Sequence, residues 1–459
     1  MKDLTVGNSG RLIFHFAVPM LIGNVFQQFY NIADSIIVGK FIGKEALAAV
    51  GASFPLIFML ISFVVGVAMG TTVIIAQYFG ARDLKMVKRS MDTLYIFLFF
   101  ASILVTILGI LLSKPIFRLI NLPSDIMPQA VTYFNVYLIG IIFFFGFNGT
   151  GAILRGLGDS KTPLYFLIIS SVMNIILAVL FVAGFGWGIT GAALATVIAQ
   201  AGAFITGILY LNKRHELVKL TLKNLEFDRG IFIKSLQIGL PSGFQQTFVA
   251  LGMLAVMRIV NDFGTNVIAA YSVAGRIDSL AGLAAMNFAA ALSTFVGQNL
   301  GARKTDRVKS GFRATLAMSS ALALLITLIV LVLPRPLMAL FNSDPAVIEI
   351  GAHYLIIVGS FYVLFSTMFV VGGVMRGAGD TLIPMFITLF SLWIIRIPLA
   401  WIFSRHFGYI GIWWSIPIAW FIGMGLSYLY YLKGNWKKKV IMKTVPANAD
   451  AEEAGSYSG

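Results

Sequence analysis

Long apolar runs recur along this chain, and no other feature restricts its possible folds as much. Clear examples are residues 96–112, 164–182, 316–333 and 386–403. A run of about 20 apolar residues can cross a bilayer, and a backbone inside lipid must satisfy its own polar groups as a helix or a closed barrel. Only 12% of the 459 residues are charged, roughly half the fraction that is usual in soluble domains. We therefore predict an all-α integral membrane protein.

The apolar pattern predicts twelve transmembrane helices. Their predicted positions are 13–38, 50–78, 92–113, 130–153, 164–184, 189–211, 235–260, 269–297, 314–333, 350–373, 383–404 and 410–432. If the N-terminus is cytoplasmic, 25 of the 34 Lys and Arg residues fall on the cytoplasmic side and six in the opposite loops. Because Lys and Arg collect on the cytoplasmic side of membrane proteins, we predict a bacterial inner-membrane protein with both termini in the cytoplasm. The net charge of +15 then needs no nucleic-acid partner.

Two motifs occur twice at a constant offset of 221 residues. QYFGAR at 77–82 returns as QNLGAR at 298–303, and RGLGD at 155–159 returns as RGAGD at 376–380. The repeat predicts two six-helix lobes in the same orientation, because six spans bring the chain back to the same face. Transporters built from parallel repeats bind substrate between the halves, near the membrane midplane. The predicted parts are an N-terminal lobe at 1–211, a basic cytoplasmic linker at 212–234, a C-terminal lobe at 235–432 and a disordered cytoplasmic tail at 433–459.

The repeated loops have a structural interpretation. Glycine permits a tight turn after the fourth span, and Asp159 is placed to cap the start of the fifth. Arg155 and Asp159 can also pair across the loop, and Arg376 and Asp380 occupy the equivalent positions. We predict structural rather than substrate-binding roles for these four residues.

The sequence lacks the residues and motifs that several kinds of chemistry require. The absence of cysteine excludes disulfides, thiolate catalysis and iron–sulfur clusters. The four histidines are scattered without the spacing of metal ligands, and no complete phosphate-binding loop is present. We therefore predict no metal site, no cofactor and no enzymatic activity.

The first span carries a stripe of polar side chains. Its members are Asn24, Gln27, Gln28, Tyr30, Asn31, Asp34 and Ser35. Most recur at three- and four-residue steps and so share one helix face, which must look into protein or water because lipid cannot satisfy it. Acids inside membrane spans are costly and usually functional, and a carboxylate in such a cavity can exchange a proton or a sodium ion against cargo. The alternative is that Asp34 lies at the aqueous interface.

The C-terminal half is chemically different, since the position equivalent to Asp34 is Ala255. Arg276 and Asp278 stand two residues apart on the eighth span, so they point in different directions and each needs another partner. Arg396 is a candidate partner for an acid. Two interpretations remain open: these charged residues line a C-terminal cavity, or they form buried ion pairs. Gln245 and Gln246 on the seventh span would extend the polar lining of such a cavity.

The motifs in order resemble those of the MATE (multidrug and toxic compound extrusion) family, closest to its DinF-like branch. They are Pro19 followed by QQFYNIAD at 27–34, the two Gln-x-x-Gly-Ala-Arg loops, RGLGD at 155–159 and GLP at 239–241. The resemblance covers about residues 10–432. It implies a V-shaped pair of lobes that exports cationic or amphipathic compounds in exchange for inward H⁺ or Na⁺.

By the same resemblance, a cation site in the N-terminal lobe would consist of Tyr30, Asp34, Asn174 and Thr196, with Gln27 and Asn31 nearby on the same stripe. The chain departs from the family at Ala178, where many members carry a second acid. This departure puts a two-carboxylate site in doubt and favours protons as the coupling ion, with sodium as the alternative.

We thus expect a monomeric secondary antiporter in the lipid bilayer that exports a small cationic or amphipathic substrate. A lipid-linked precursor flippase of the same broad superfamily is the first alternative. It would favour a strongly cationic cavity and often extra helices. A membrane-embedded enzyme is the second, and no catalytic set supports it.

Overall fold

A computed structural model describes residues 2–214, 219–220 and 224–441. Parts of the predicted linker 212–234, and the predicted tail from 442 onward, therefore lie outside the described residues. The first part of that tail, predicted to be disordered, is ordered and contains a 3₁₀ turn at Asn435–Lys439. The described chain is helical and contains no strand. Its helices are α1 Ser9–Phe41, α2 Lys44–Gly80, α3 Leu84–Leu119, α4 Met127–Ile139, α5 Ile141–Gly156, α6 Lys161–Val179, α7 Gly188–Arg214, α8 Arg229–Asn261, α9 Thr265–Gly301, α10 Thr305–Val332, α11 Pro334–Ala339, α12 Pro345–Gly359, α13 Tyr362–Ala378, α14 Leu382–Leu389, α15 Ile397–Phe407 and α16 Tyr409–Lys433.

Within the described residues, ten helical stretches are long and apolar enough to cross a membrane, and two bent helix pairs raise the number to twelve. α6 runs on through a π-helical turn at Leu180–Gly184, and a second π-helical turn at Phe390–Arg396 joins α14 to α15. Spans 1–6 (α1–α7) form the N lobe, and spans 7–12 (α8–α16) form the C lobe. The predicted all-α fold with two six-span lobes is confirmed.

The fourth and tenth spans are broken, which the sequence did not predict. α4 and α5 meet at 51°, and α12 and α13 meet at 48°. A break frees carbonyl groups that lipid cannot satisfy, and a neighbouring threonine supplies the missing donor in each lobe. Thr106 donates to the Leu138 carbonyl at 2.7 Å, and Thr327 donates to the Gly359 carbonyl at 2.7 Å. Both threonines and both carbonyls are related by the 221-residue offset.

The helices extend beyond the apolar stretches because polar caps set their ends. Asp83 accepts a hydrogen bond from the Met86 amide at 3.0 Å and starts α3, eight residues before the predicted span at 92–113. Asp228 does the same for α8 through the Ile231 amide at 3.0 Å. A capping side chain satisfies amides that have no partner within the helix, so both helices begin in polar sequence ahead of the predicted spans.

The two lobes meet along α2, which packs against α8 and α9. Glycines allow the closest approach, since a Cβ at Gly66 would lie 2.7 Å from the Gly239 carbonyl oxygen. Small residues at such crossings let helix backbones touch directly. The first turns of α1 also contact the C lobe, where Ile13 and Phe16 join a buried apolar cluster with residues of α9, α10 and α13.

The lobes are closed together at one end only. From Gly66 to Tyr78 every residue of α2 except Met69 is buried, and from Asn287 to Gly301 every residue of α9 except Ala290 is buried. The opposite halves of both helices carry many exposed side chains. We call the closed end, where α1 begins and α16 ends, the terminal face, and the other end the open face.

Candidate functional site

Asp34 lies on α1 toward the open face, inside the N lobe. Its side chain is only 8% exposed, and its Oδ1 atom is buried without a hydrogen-bond partner. An exposed acid at the membrane surface would be hydrated, so this position is part of the lobe interior. A buried acceptor without a donor is costly, which makes Asp34 an available ligand for a proton or a cation.

Thr196 on α7 connects the other residues of the predicted site. Its hydroxyl donates to the Ala192 carbonyl at 3.3 Å and accepts from Asn174 Nδ2 at 3.0 Å. The Tyr30 hydroxyl lies 3.3 Å from the same oxygen. Three helices, α1, α6 and α7, are thereby joined at one hydroxyl group. The Asn174 amide uses its nitrogen in this network, and its Oδ1 is buried without a partner.

Two tyrosines of α4 complete the surroundings of Asp34, and the sequence analysis did not identify them. Tyr133 interacts electrostatically with the Asp34 carboxylate, and its ring stacks on Tyr137 with centroids 6.5 Å apart. Tyr137 in turn interacts with Gln200 on α7. Tyrosines four residues apart on a membrane span share one helix face, and that spacing was the available signal.

The position of the missing second acid is filled by packing. Ala178 is fully buried and belongs to the apolar core of the N lobe. Its methyl group offers no ligand, so Asp34 is the only acid of the site, and its neighbours are neutral hydroxyl and amide groups.

The polar stripe of α1 does not act as one surface. Gln27 and Asn31 are exposed, and Asn31 contributes only its carbonyl, which accepts from Ser35 at 2.8 Å. Asn24 crosses to the other lobe and donates to Asn287 on α9 at 3.0 Å. The structure therefore brings Tyr30, Asp34, Asn174 and Thr196 together and leaves Gln27 and Asn31 outside this cluster.

The acid of the C lobe has a different environment. Asp278 on α9 accepts from the Tyr354 hydroxyl at 2.6 Å and from the Tyr362 hydroxyl at 2.5 Å, so both carboxylate oxygens are satisfied. Arg396 interacts with it electrostatically and lies 3.5 Å from the Tyr271 hydroxyl. Arg276 is exposed and belongs to no such cluster.

Comparison with known proteins assigns the fold and the family. The MatE family profile matches residues 19–180 and 241–402, one match in each lobe. The probable multidrug resistance protein YpnP of Bacillus subtilis is 33% identical over 95% of this chain and 97% of its own length. The chain belongs to the MATE family. It is a multi-pass membrane transporter, and members of this family are transporters rather than enzymes.

Further similar proteins support the assignment of this chain to the MATE family. The probable multidrug resistance protein NorM of Thermotoga maritima is 28% identical over 94% of both chains. A solved outward-facing structure of a MATE multidrug-resistance transporter of the MOP superfamily has a TM-score of 0.88, 25% identity, and coverage of 96% of this chain and 99% of that one. The relation to the DinF-like branch stays a prediction.

The charged residues of the two repeated loops of this MATE protein make different contacts. Asp159 accepts from the Lys161 and Thr162 amides at 3.1 and 3.0 Å, at the start of α6. Asp380 instead accepts from the Tyr430 hydroxyl at 2.6 Å. No ion pair joins Arg155 to Asp159, or Arg376 to Asp380, among the described contacts. Each arginine folds back along its own helix, over Gly151 in one lobe and Gly372 in the other.

The two glutamines predicted for a C-terminal cavity also separate. Gln245 donates to the Thr388 hydroxyl at 2.7 Å and thereby joins α8 to α14, whereas Gln246 is exposed. Of the predicted C-lobe set, only Asp278 and Arg396 interact with each other.

Proposed function

We propose that this MATE transporter is a secondary antiporter that exports organic cations, drugs or other amphipathic compounds in exchange for inward H⁺ or Na⁺. One observation carries the proposal: Asp34 Oδ1 and Asn174 Oδ1 are both buried without a donor in the same lobe. Leaving a buried acceptor unpaired costs about 1–3 kcal/mol. A bound proton or cation would remove that cost, and its release would restore it, so occupancy of this site is a suitable energy source for exchange.

Protons are the favoured coupling ion. Hard cations prefer carboxylate, carbonyl and hydroxyl oxygens, and several of them are needed to replace water. With Ala178 buried in the core, the cluster holds a single carboxylate, and Thr196 Oγ1 already takes part in three hydrogen-bonding contacts. A proton needs only one oxygen, which Asp34 supplies.

The cargo and the oligomeric state are proposed on related grounds. The MatE match over both lobes supports export of small molecules over the flippase alternative. The candidate site lies within one chain, so a monomer would suffice for transport. We place the protein in a bacterial inner membrane.

The decisive experiment reconstitutes the purified protein in vesicles and follows a fluorescent cationic dye. A pH gradient and a sodium gradient are imposed separately, each with the other held at zero. We expect dye movement driven by the pH gradient alone. Movement driven by sodium alone would reverse the choice of ion and keep antiport, whereas movement that ignores both gradients would contradict antiport. A labelled lipid-linked precursor in parallel vesicles tests the flippase.

The proposed orientation has its own test. The sequence has no cysteine, and Asn224 and Thr265 are both exposed. An impermeant thiol reagent applied to intact cells should label Thr265→Cys and spare Asn224→Cys. The reverse pattern would mean that the termini are outside.

A further inference from the structure

Two glutamines related by the repeat lie at the centre of the terminal face. Gln77 on α2 and Gln298 on α9 are both fully buried. Gln77 Nε2 donates to the Gly377 carbonyl of the C lobe at 3.0 Å. Gln298 Nε2 donates to the Gly156 carbonyl of the N lobe at 3.0 Å. Each side chain therefore reaches across to the opposite lobe. The 221-residue offset relates the two glutamines to each other and the two glycines to each other.

The side-chain oxygen of each glutamine accepts a hydrogen bond from a segment near one end of the chain. The amide of Leu4, in the N-terminal segment (residues 2–8), donates to Gln298 Oε1 at 2.9 Å. The amide of Ile441, in the C-terminal segment (residues 434–441), donates to Gln77 Oε1 at 2.9 Å. Each amide group thus bonds the opposite lobe through its nitrogen and a terminal segment through its oxygen.

The two segments occupy equivalent places although the repeat does not relate them. Residue 223, not residue 439, stands at the repeat position of Lys2. Even so, a Cβ at Gly158 would overlap the Lys2 carbonyl, and one at Gly379 would lie 3.3 Å from the Lys439 carbonyl oxygen. Both glycines have positive φ, which a larger residue rarely adopts. In each segment the residue two positions later donates to the glutamine.

The N-terminal segment is fixed to both lobes. The Lys2 amide donates to the Leu157 carbonyl of the N lobe at 3.3 Å. On the C-lobe side, the Leu4 carbonyl accepts from Asn299 Nδ2 at 3.2 Å and from Arg307 at 3.3 Å. The Leu4 side chain is 1% exposed and packs in the cluster that α1 shares with the C lobe. The C-terminal segment also contacts both lobes. Val440 packs against that same cluster, and Ile441 packs against the N-lobe core.

We propose that Gln77, Gln298 and the two terminal segments form a clamp that holds the terminal face closed, and that its release opens the cleft to that face. Both glutamine contacts with the opposite lobe must break if the lobes separate there. The terminal segments, which belong to neither repeat, then set how readily this happens. The biological role of the clamp rests on the proposed transport function. Closure of the terminal face can be measured without any cargo.

A single cysteine can report on the closure. Ser235 on α8 is buried and accepts from Thr71 on α2 across the lobe contact at 3.1 Å. Ser235→Cys nearly preserves its shape in the cysteine-free chain. The rate at which a soluble maleimide labels this cysteine in detergent-solubilised protein then measures how often the face opens.

The test compares clamp variants with matched controls in that reporter chain. Gln77→Ala with Gln298→Ala removes four hydrogen bonds, and we expect labelling to rise about tenfold or more. Gln237→Ala, an exposed glutamine on α8, should leave the rate unchanged. An unchanged rate in the folded double variant would overturn the clamp.

A second pair of variants keeps every membrane helix intact. Leu4→Pro removes the amide hydrogen that Gln298 accepts, because proline has none, and it should raise the labelling rate severalfold. Val6→Pro, at an exposed residue of the same segment, is the control. Equal rates for these two variants would remove the N-terminal segment from the clamp. Dye transport measured in parallel separates the two proposals, since antiport can fail while the labelling result stands.

Discussion

Asp34 and Asp278 occupy two lobes built to the same plan, yet their surroundings are opposite. Asp278 is half-buried and accepts hydrogen bonds from two tyrosine hydroxyls. Asp34 is buried, and one of its oxygens accepts none. A buried polar group with hydrogen-bond partners holds helices in place. One without partners raises the free energy of the folded state, and a bound ligand can remove that penalty. The repeat therefore preserves the frame of the lobes, and the chemistry is divided between them.

The largest difference should appear in transport. Asp34→Asn removes the only carboxylate of the N-lobe cluster and should reduce ion-driven dye export at least about a hundredfold, since the site can no longer exchange an ion. Export is measured in vesicles at matched protein levels. Asp262→Asn, at an exposed acid that pairs with Arg258, is the control and should transport normally. Full export by Asp34→Asn would assign Asp34 a merely structural role.

For stability we expect the opposite: substitution of Asp278 should have a larger effect than substitution of Asp34. Asp278→Ala leaves two tyrosine hydroxyls without their acceptor and Arg396 without its neighbouring negative charge, and it should lower the free energy of unfolding by about 3 kcal/mol. Asp34→Asn should leave it unchanged or raise it, because a buried charge is removed. Thermal unfolding in detergent compares the two midpoints. If both variants lose the same stability, the two acids are equivalent and the distinction between the lobes fails.

A milder change tests whether the tyrosines account for the stability of the C-lobe cluster. Tyr362→Phe removes one hydroxyl and keeps the ring, so it should lower the free energy of unfolding by about 1 kcal/mol. Tyr428→Phe, at an exposed tyrosine on α16, should have no effect on the unfolding midpoint. Identical midpoints for the two variants would show that Asp278 does not depend on Tyr362.

The smallest predicted effect concerns the coupling ion. Ala178→Asp adds a second carboxylate to the N lobe and should make dye export respond a few-fold to a sodium gradient, because more carboxylate oxygens suit a hard cation. Ala178→Asn has nearly the same volume without the charge and controls for overpacking at this fully buried position. A sodium response in the asparagine variant would show that size, not charge, is responsible.

The sequence predicted the large-scale plan because that plan depends on composition. Twelve spans and two parallel lobes follow from apolar length and the 221-residue offset. The breaks at Gly140 and near Phe361 could not be predicted, since the apolar runs continue across them and the satisfying threonines lie about 30 residues away. The helices extend past the predicted spans because caps such as Asp83 stand outside the apolar stretch.

The candidate site was predictable only in part. The spacing of polar residues indicated Asp34, but Asn174 and Thr196 came from the family resemblance, because they lie on other helices. The hydroxyl partners of Asp278 are 76 and 84 residues away, beyond any local pattern. The interpretation of the α1 stripe as one face was too simple, since Asn24 turned out to bridge the lobes and Gln27 to be exposed.

One consequence of the lone carboxylate concerns charge. Among the described residues, Asp34 is the only acid with a buried oxygen that lacks a hydrogen-bond partner. If it alone carries coupling, one monovalent ion enters in each cycle. Export of a singly charged cation would then be electroneutral and would draw on the chemical gradient of the ion but not on the membrane voltage. Export of a neutral amphipathic compound would move one positive charge inward and would be accelerated by an inside-negative potential.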